Sequence, residues 1–519
     1  MPQLKIDGKN VTVPGGTTIL QAAKSLGIEV PTLCHLEGYD RFTSCMVCSV
    51  RDATSGRIVP ACSAAARDGM VIETVGEEVQ QARRSALELI LGEHVGECDA
   101  LCRLACPAHM DVPLMIRQVA AGDFRAAAAA AREALVLPAT LGRICPGPCE
   151  KSCRRGRLDQ PLGICMLHRF AADLDLSRKD PYLPACAPAT GKKVAIIGAG
   201  PAGLAAAWSL ALRGHACTVF DEEARAGGHL RSGWPADQLP PDVLDREIEL
   251  IRSLGVGFRL NIPIGFYVGI ARLKEEFNAI VLAVGNLDAG LAAVWGVASD
   301  GSGIAFEPGS FRTSDSRIFA VGEAVAHGHL VVKSIAQGKA AALAIDSFLG
   351  GRGAAPPPRF QSRVGAMEKS ELEELMKLAE RSARIEPAGG KSGGFTAGEA
   401  RAEARRCMHC DCRKLEDCKL RRLAEEYGAD QHRCRVQGRR RFERNITHPD
   451  IIFEPGKCIK CGICVRIAAR AGESPGLAFT GRGFNSEVAV PFGETLGAAL
   501  KKSVAECVRN CPTGALASR

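Results

Sequence analysis

The chain opens on short alternating runs of apolar and polar residues. LKIDGKNVTV predicts two brief strands folded about an Asp7-Gly8 turn. TTILQAAKSLG then shifts to helical spacing, with Thr17 or Thr18 as the cap and Gly27 as the stop. Strand, turn, strand and helix in that order suit a β-grasp domain over residues 1–80. Residues 81–185 follow a helical pattern that includes FRAAAAAAREAL, read as a plain packing helix. PYLPACAPAT reads as a linker, and the apolar run KVAIIGAG after it predicts a buried strand that opens a domain over 190–350. Within a linker segment, 351–400, the Gly/Pro/Ser-rich breaks Gly350–Pro358 and Pro387–Gly398 flank a charged helix expected over Glu368–Arg384. Residues 401–519 form a separate cysteine-rich module. The expected fold class is multidomain, combining α/β and α+β parts.

Length agrees with that division, since 519 residues make about three to five folding units. Hydrophobic residues at 46% and charged residues at 24% exclude disorder, collagen and coiled coil. No apolar run approaches the roughly 18 residues of a membrane helix, and MPQLKIDGKNVTV lacks the apolar stretch of a secretory signal. A cytoplasmic protein without membrane insertion is the expectation. The 23 cysteines change the picture, because they are bunched rather than spread as a disulfide framework. In a reducing compartment such bunches point to metal. The formal charge of +8 counts those thiols as neutral. Thiolates on iron leave a typical cluster anionic and would cancel most of the excess, so the charge is not a nucleic-acid signal.

Cys34, Cys45, Cys48 and Cys62 follow C-x10-C-x2-C-x13-C, in which one loop supplies three thiolates and a later segment the fourth. Four thiolates suit a [2Fe-2S] cluster, whereas zinc sites usually come as two close pairs. The spacing resembles the amino-terminal ferredoxin domain of iron-only hydrogenases and of the large iron–sulfur subunit of complex I.

Next come His94-x3-Cys98-x3-Cys102-x3-Cys106-Pro and, further on, Cys145-Pro-x2-Cys149-x3-Cys153. The layout resembles the helical bis-[4Fe-4S] domain of the glutamate synthase small subunit and of dihydropyrimidine dehydrogenase. The resemblance implies that His94, Cys98, Cys102 and Cys153 hold one cluster and Cys106, Cys145 and Cys149 the other. A fourth ligand for the second cluster is then expected in LGICMLHRF, where His168 is preferred and Cys165 lies one turn earlier. His94 stands where that family has a cysteine; a lone histidine is more often an ordinary residue, but an imidazole ligand would raise a cluster's potential.

VAIIGAGPAG ends a strand and opens a helix, placing Gly198, Gly200 and Gly203 in a GxGxxG turn followed by Pro201 and Ala202 within it, with Asp221 closing the next strand. Together these features form a dinucleotide fingerprint. Three further segments resemble the flavin domain of the glutamate synthase small subunit: GGHLRSG with Gly228 and Leu230, NAIVLAVG with Ala283 and Gly285, and SRIFAVGEAV with Gly322 and Glu323, a Glu where the family has Asp. The resemblance implies a Rossmann-like FAD domain. In that family a second nucleotide domain is inserted before the closing motif, whereas only 33 residues separate Gly285 from Phe319 here. No second GxGxxG lies among them, so the NADPH site is expected to be missing and a small β-excursion to take its place.

In the last module Cys407-x2-Cys410-x-Cys412-x5-Cys418 offers four thiolates for a [4Fe-4S] cluster, with zinc as the alternative. Cys434 reads as a spare thiol, and the run Arg439–Arg441 with Arg435 and Arg444 as a solvated face, or secondarily a dock for an acidic redox partner. Cys458, Cys461 and Cys464, with Cys511 before Pro512, make a ferredoxin-type [4Fe-4S] motif, Cys507 standing in reserve.

The resemblances imply FAD, one [2Fe-2S] and three or four [4Fe-4S] clusters in an electron-transfer subunit of a larger oxidoreductase. Its partners would be ferredoxin or a subunit of NADH dehydrogenase, hydrogenase, formate dehydrogenase or 2-oxoacid oxidoreductase type. A self-sufficient NAD(P)H oxidoreductase and a structural zinc scaffold are the alternatives.

Overall fold

The computed structural model of the chain describes all residues except 266–267, 287–288, 301–302, 326–327, 329, 352–359 and 436–437. It divides into two compact units, Met1–Ala100 with Pro358–Lys377 and Cys410–Arg519, and Leu101–Pro357 with Leu378–His409.

The first unit opens with β1 (Gln3–Ile6) and β2 (Lys9–Thr12), an antiparallel pair turned by Asp7 and Gly8, both at positive φ. The alternation of Leu4 and Ile6 puts both in the core. The sheet runs β2-β1-β5-β3-β4, where β3 is Ser49–Asp52, β4 Arg57–Pro60 and β5 Val71–Glu73. The helix Ile19–Ser25 is closed by a capping box of Thr18 and Gln21. Strand, turn, strand and helix follow one another in the expected order. The long helix Glu77–Glu93 belongs to the same unit, where Arg83 donates to the Tyr427 hydroxyl at 2.9 Å. The strands Ile451–Phe453 and Leu516–Ser518 pair antiparallel and bring the two ends of the carboxyl-terminal segment together.

The second unit combines a helical bundle with a parallel sheet. Its helices Val112–Ala121, Phe124–Leu135, Pro138–Ile144 and Ile164–Leu176 pack around Met115, Ala127, Ala131, Leu141 and Leu167, all buried. The all-parallel sheet runs β10-β9-β6-β7-β8, with β6 Lys193–Ile197, β7 Ala216–Phe220, β8 Gly257–Arg259, β9 Ala279–Leu282 and β10 Ile318–Ala320. Between β9 and β10 a helix, Ala289–Val294, precedes a two-strand hairpin, Ser299–Asp300 with Gly303–Ile304.

Two expected bounds differ in the structure. The helical region divides at Ala100, and its first helix packs with the ferredoxin-like parts. The charged helix expected over 368–384 spans only Lys369–Met376. Beyond it, the carbonyls of Glu380 and Ser382 accept from the buried guanidinium of Arg155 at 3.0 and 3.2 Å, in place of helical N–H groups. The Gly/Pro-rich break after Gly350 falls largely on 352–359, outside the described residues. Among the described residues no helix is long and apolar enough to cross a membrane.

Candidate iron–sulfur and dinucleotide sites

The four amino-terminal cysteines converge. Cys34 and Cys45 come from loops, Cys48 lies just before β3 and Cys62 just after β4, and all four are buried. Sulfur contacts link Cys45 to Cys34, Cys34 to Cys62, and Cys62 to Cys48. The contacts from Cys45 and Cys62 hold the Cys34 thiol far below its ordinary value, and the Cys34 contact pushes Cys45 and Cys62 up. Four soft donors brought this close suit iron or another thiophilic metal.

Cys458, Cys461, Cys464 and Cys511 line one small apolar cavity with Phe453, Val488 and Leu516. Gly462, at φ +66, turns the chain into the helix Ile463–Arg470, so that all three cysteines of the CxxCxxC run reach the cavity. Burial pushes Cys458 up to about 11 and Cys461 up to about 12. Such thiols become thiolates readily only when a cation is present. Cys507 is absent from the lining; it is fully buried, with its thiol 3.8 Å from the Cys464 carbonyl. Cys34 is an electrostatic neighbour of Cys461.

Cys407 belongs to the second unit and Cys410, Cys412 and Cys418 to the first; His94 and Cys98 belong to the first unit and Cys102 and Cys153 to the second. Within the first unit Cys98 has Cys412 and Cys418 as charge neighbours. His94 is buried deeply enough to lower its imidazole to about 4, and its Nδ1 has no hydrogen-bond partner among the described residues. An orphaned, neutral imidazole nitrogen is what a metal ligand requires.

In the second unit Cys106, Cys145, Cys149 and Cys165 come together. Cys165 makes sulfur contacts with Cys145 and Cys149 and lowers Cys145 to about 7, while Cys149 and Cys145 are charge neighbours of Cys106. His168, the preferred fourth donor on sequence grounds, has its Nδ1 3.0 Å from the Pro138 carbonyl, and burial lowers it to about 4. Cys165 sits in the first turn of the helix Ile164–Leu176, its N–H held by Glu150 at 2.8 Å, and helical side chains point back toward the N-terminus.

The glycine turn after β6 is built as its motif requires. Gly198 has φ +104, and a Cβ there would stand 2.3 Å from the Ala283 carbonyl; one on Gly203 would stand 2.0 Å from the Gly198 carbonyl. Gly200 instead faces open space, and Pro201 and Ala202 begin the following helix, Pro201–Leu212. A Cβ on Gly228 would meet Gly200 Cα at 2.9 Å, and Leu230 beside it is buried. Asp221 accepts from Ala199 N at 2.5 Å and Glu223 N at 2.9 Å, so its carboxylate braces the turn. Gly322 N donates to Gln337 at 3.0 Å, with half-buried Glu323 next to it, and Gly285 has φ +73 with open space around it. A helix N-terminus behind an uncovered glycine backbone fits a pyrophosphate.

Residues 2–77 match the family described as 2Fe-2S iron-sulfur cluster binding domain, and residues 77–180 that described as dihydropyrimidine dehydrogenase domain II, 4Fe-4S cluster. Residues 196–255 match the NAD(P)-binding Rossmann-like domain. The chain is 41% identical over 207 residues to the NADP(+)-dependent formate dehydrogenase subunit beta of Moorella thermoacetica, a match covering 36% of the chain and 29% of that relative. It is 39% identical over 190 residues to the NADPH-Fe(3+) oxidoreductase subunit beta of Geobacter sulfurreducens, covering 36% and 28%. It is 40% identical over 190 residues to the NAD-dependent dihydropyrimidine dehydrogenase subunit PreT of Escherichia coli, covering 36% and 46%. The matches thus span less than half the length of each of these relatives.

Residues that motif reading did not single out complete the sites. Arg466 donates to carbonyls beside two of the cysteine sets, and Lys457 and Arg421 bring buried cations toward the sulfurs. Within the basic run Arg435, Arg440 and Arg441 are exposed, whereas Arg439 pairs with Glu371 and Arg444 with Glu454 at 2.9 Å.

Proposed function

We propose that this chain is an FAD- and iron–sulfur-dependent electron-transfer subunit of a multisubunit oxidoreductase, relaying electrons between a partner dehydrogenase and ferredoxin or a nucleotide-binding subunit. The observation that carries the reading is the pair of all-sulfur donor sets, buried Cys34/Cys45/Cys48/Cys62 and buried or half-buried Cys458/Cys461/Cys464/Cys511, tied together through one arginine, Arg466. The first set would hold [2Fe-2S] and the second [4Fe-4S]; Cys106, Cys145, Cys149 and Cys165 would hold another [4Fe-4S]. Bound clusters supply one-electron carriage, and FAD exchanges electrons singly or in pairs. The chain's own residues exclude water from the sulfurs, fix their spacing and present the bare backbone of Gly200 to a dinucleotide phosphate. Formate and NADP are named in the Moorella relative, and a formate dehydrogenase catalytic subunit is accordingly the first partner to seek.

The test is anaerobic affinity purification from the native host with iron, zinc and flavin quantified. Iron and flavin together with a co-purifying dehydrogenase subunit are expected. Zinc without iron, and no flavin, would overturn the proposal. The match to an NAD(P)-binding domain favours a second reading, in which the chain takes NAD(P)H directly; bleaching of the flavin band by NADPH in the isolated chain would select it.

A further inference from the structure

Cys98 and the CxCx5C run of the last segment lie more than 300 positions apart, and the motifs alone assign them to different clusters. In the first unit they meet. Cys412 N donates to the Cys98 carbonyl at 3.0 Å, locking the two backbones together. Ser362 N donates to Cys98 Sγ at 3.3 Å. Arg421 N donates to Cys418 Sγ at 3.4 Å, so Cys418 caps the helix Lys419–Glu426 with its sulfur at the positive end of that helix. Backbone N–H groups aimed at sulfur stabilise thiolate rather than thiol.

The surroundings complete the case. Cys98 and Cys412 are buried, Cys418 nearly so, and Cys412 and Cys418 are charge neighbours of Cys98 and of each other. Two buried cations face them: Arg421 acts on Cys98, and Lys457, paired with Glu454, acts on Cys412. Gly514 supplies the necessary room, because a Cβ there would stand 2.3 Å from Cys412 Sγ. Three sulfurs, two of them buried and two with aimed N–H donors, two buried cations and a wall without a side chain fit the lining of an anionic metal–thiolate group.

We propose that Cys98, Cys412 and Cys418 are ligands of one and the same [4Fe-4S] cluster, which joins the amino-terminal and carboxyl-terminal cysteine runs. The inference rests on the iron–sulfur reading above and brings Cys98 into one ligand set with Cys412 and Cys418.

The test uses the full chain, purified anaerobically, with Cys98→Ser, Cys412→Ser, Cys418→Ser and the triple variant compared by iron and sulfide content and by EPR of the dithionite-reduced protein. Each single variant should lose about four iron atoms and the same EPR component, and the triple variant should lose no more than a single one. The remaining EPR components and retained flavin in the same samples report that the chain is folded. If a single variant fails to fold, Gly514→Ala provides the second route, and it should diminish that same component by crowding Cys412. A Cys98→Ser sample that lacks the component lost in Cys102→Ser but keeps the one lost in Cys412→Ser overturns the proposal, as does a triple variant that loses two clusters. Should the wild-type chain carry zinc instead of iron, the electron-transfer reading fails, while shared or separate loss of metal in the same variants still decides whether the three cysteines form one site.

Discussion

Arg466 Nη2 donates to the Cys34 carbonyl at 3.0 Å, and the same nitrogen reaches the Cys461 carbonyl at 3.2 Å. One planar guanidinium thereby clamps the backbone of one cysteine set to that of another. Its Nη1 also donates to the Asp40 carbonyl, Arg470 bonds the Gly38 carbonyl at 3.1 Å, and Phe42 stacks on Phe479 at 5.3 Å between centroids. The loop that carries Cys34 is thus held against the carboxyl-terminal module by a fork of donors that lysine cannot reproduce.

Replacing Arg466 with Ala should therefore loosen that loop. At roughly 1 kcal/mol for each hydrogen bond lost, two carbonyl contacts amount to roughly 2 kcal/mol. Amide exchange over residues 34–42 should rise about thirtyfold. Arg466→Lys should exchange nearly as fast as Arg466→Ala. Unchanged protection in both variants would show that the aromatic stack and Arg470 carry the contact instead.

Cys165 and His168 separate by a simple experiment. Cys165→Ser should lose about four iron atoms per chain, because its sulfur touches two of the other three donors. His168→Asn should keep the iron and lose only modest stability, since its buried ring bonds the Pro138 carbonyl. Iron loss in His168→Asn with full retention in Cys165→Ser would select the histidine instead.

These two residues mark where sequence reading ran out. The strands around Asp7-Gly8, the Thr18 cap, β6 with its glycines and the CxxCxxC turn were legible because each follows from local spacing. Choosing between Cys165 and His168 depends on which face of one helix turns toward residues 20 positions earlier, and both candidates carry donor atoms. Cys98 with Cys412 is harder still, because the two are joined only by tertiary pairing, and their own motifs supply enough cysteines to suggest self-sufficient sites. The short helix Lys369–Met376 shows the same limit: its continuation was locally favourable, but buried Arg155 takes the carbonyls beyond it.

The glycine cradle yields a prediction that parts folding from binding. A methyl on Gly198 would press into the Ala283 carbonyl at a positive φ, so Gly198→Ala should cost roughly 2 kcal/mol or more and lower the melting temperature. A methyl on Gly200 would meet nothing within 4 Å. Gly200→Ala should melt with the wild-type apoprotein yet lose its bound flavin, because the methyl occupies the space of the phosphate. Normal flavin content by absorbance in Gly200→Ala would remove the cradle from the account.

Glu247 offers a pH signature within the second unit. Its fully buried carboxylate accepts from Ala139 N at 2.8 Å and Thr140 N at 2.9 Å, closing the start of the helix Pro138–Ile144. Burial dominates these hydrogen bonds and raises the group from its ordinary 4.5 to about 7. Between those two values the unfolded chain has released the proton and the folded chain keeps it. Folding then takes up a proton, and stability falls as pH rises through the window before levelling above it. The contribution is at most roughly 3 kcal/mol, from 1.36 kcal/mol per unit. Glu247→Gln cannot titrate, so the difference in melting temperature between wild type and variant should shrink steadily from pH 5 to pH 7 and stay constant beyond. A difference that stays constant from pH 5 to pH 8 would mean that Glu247 is already ionised at the lower end, with its two backbone hydrogen bonds outweighing its burial.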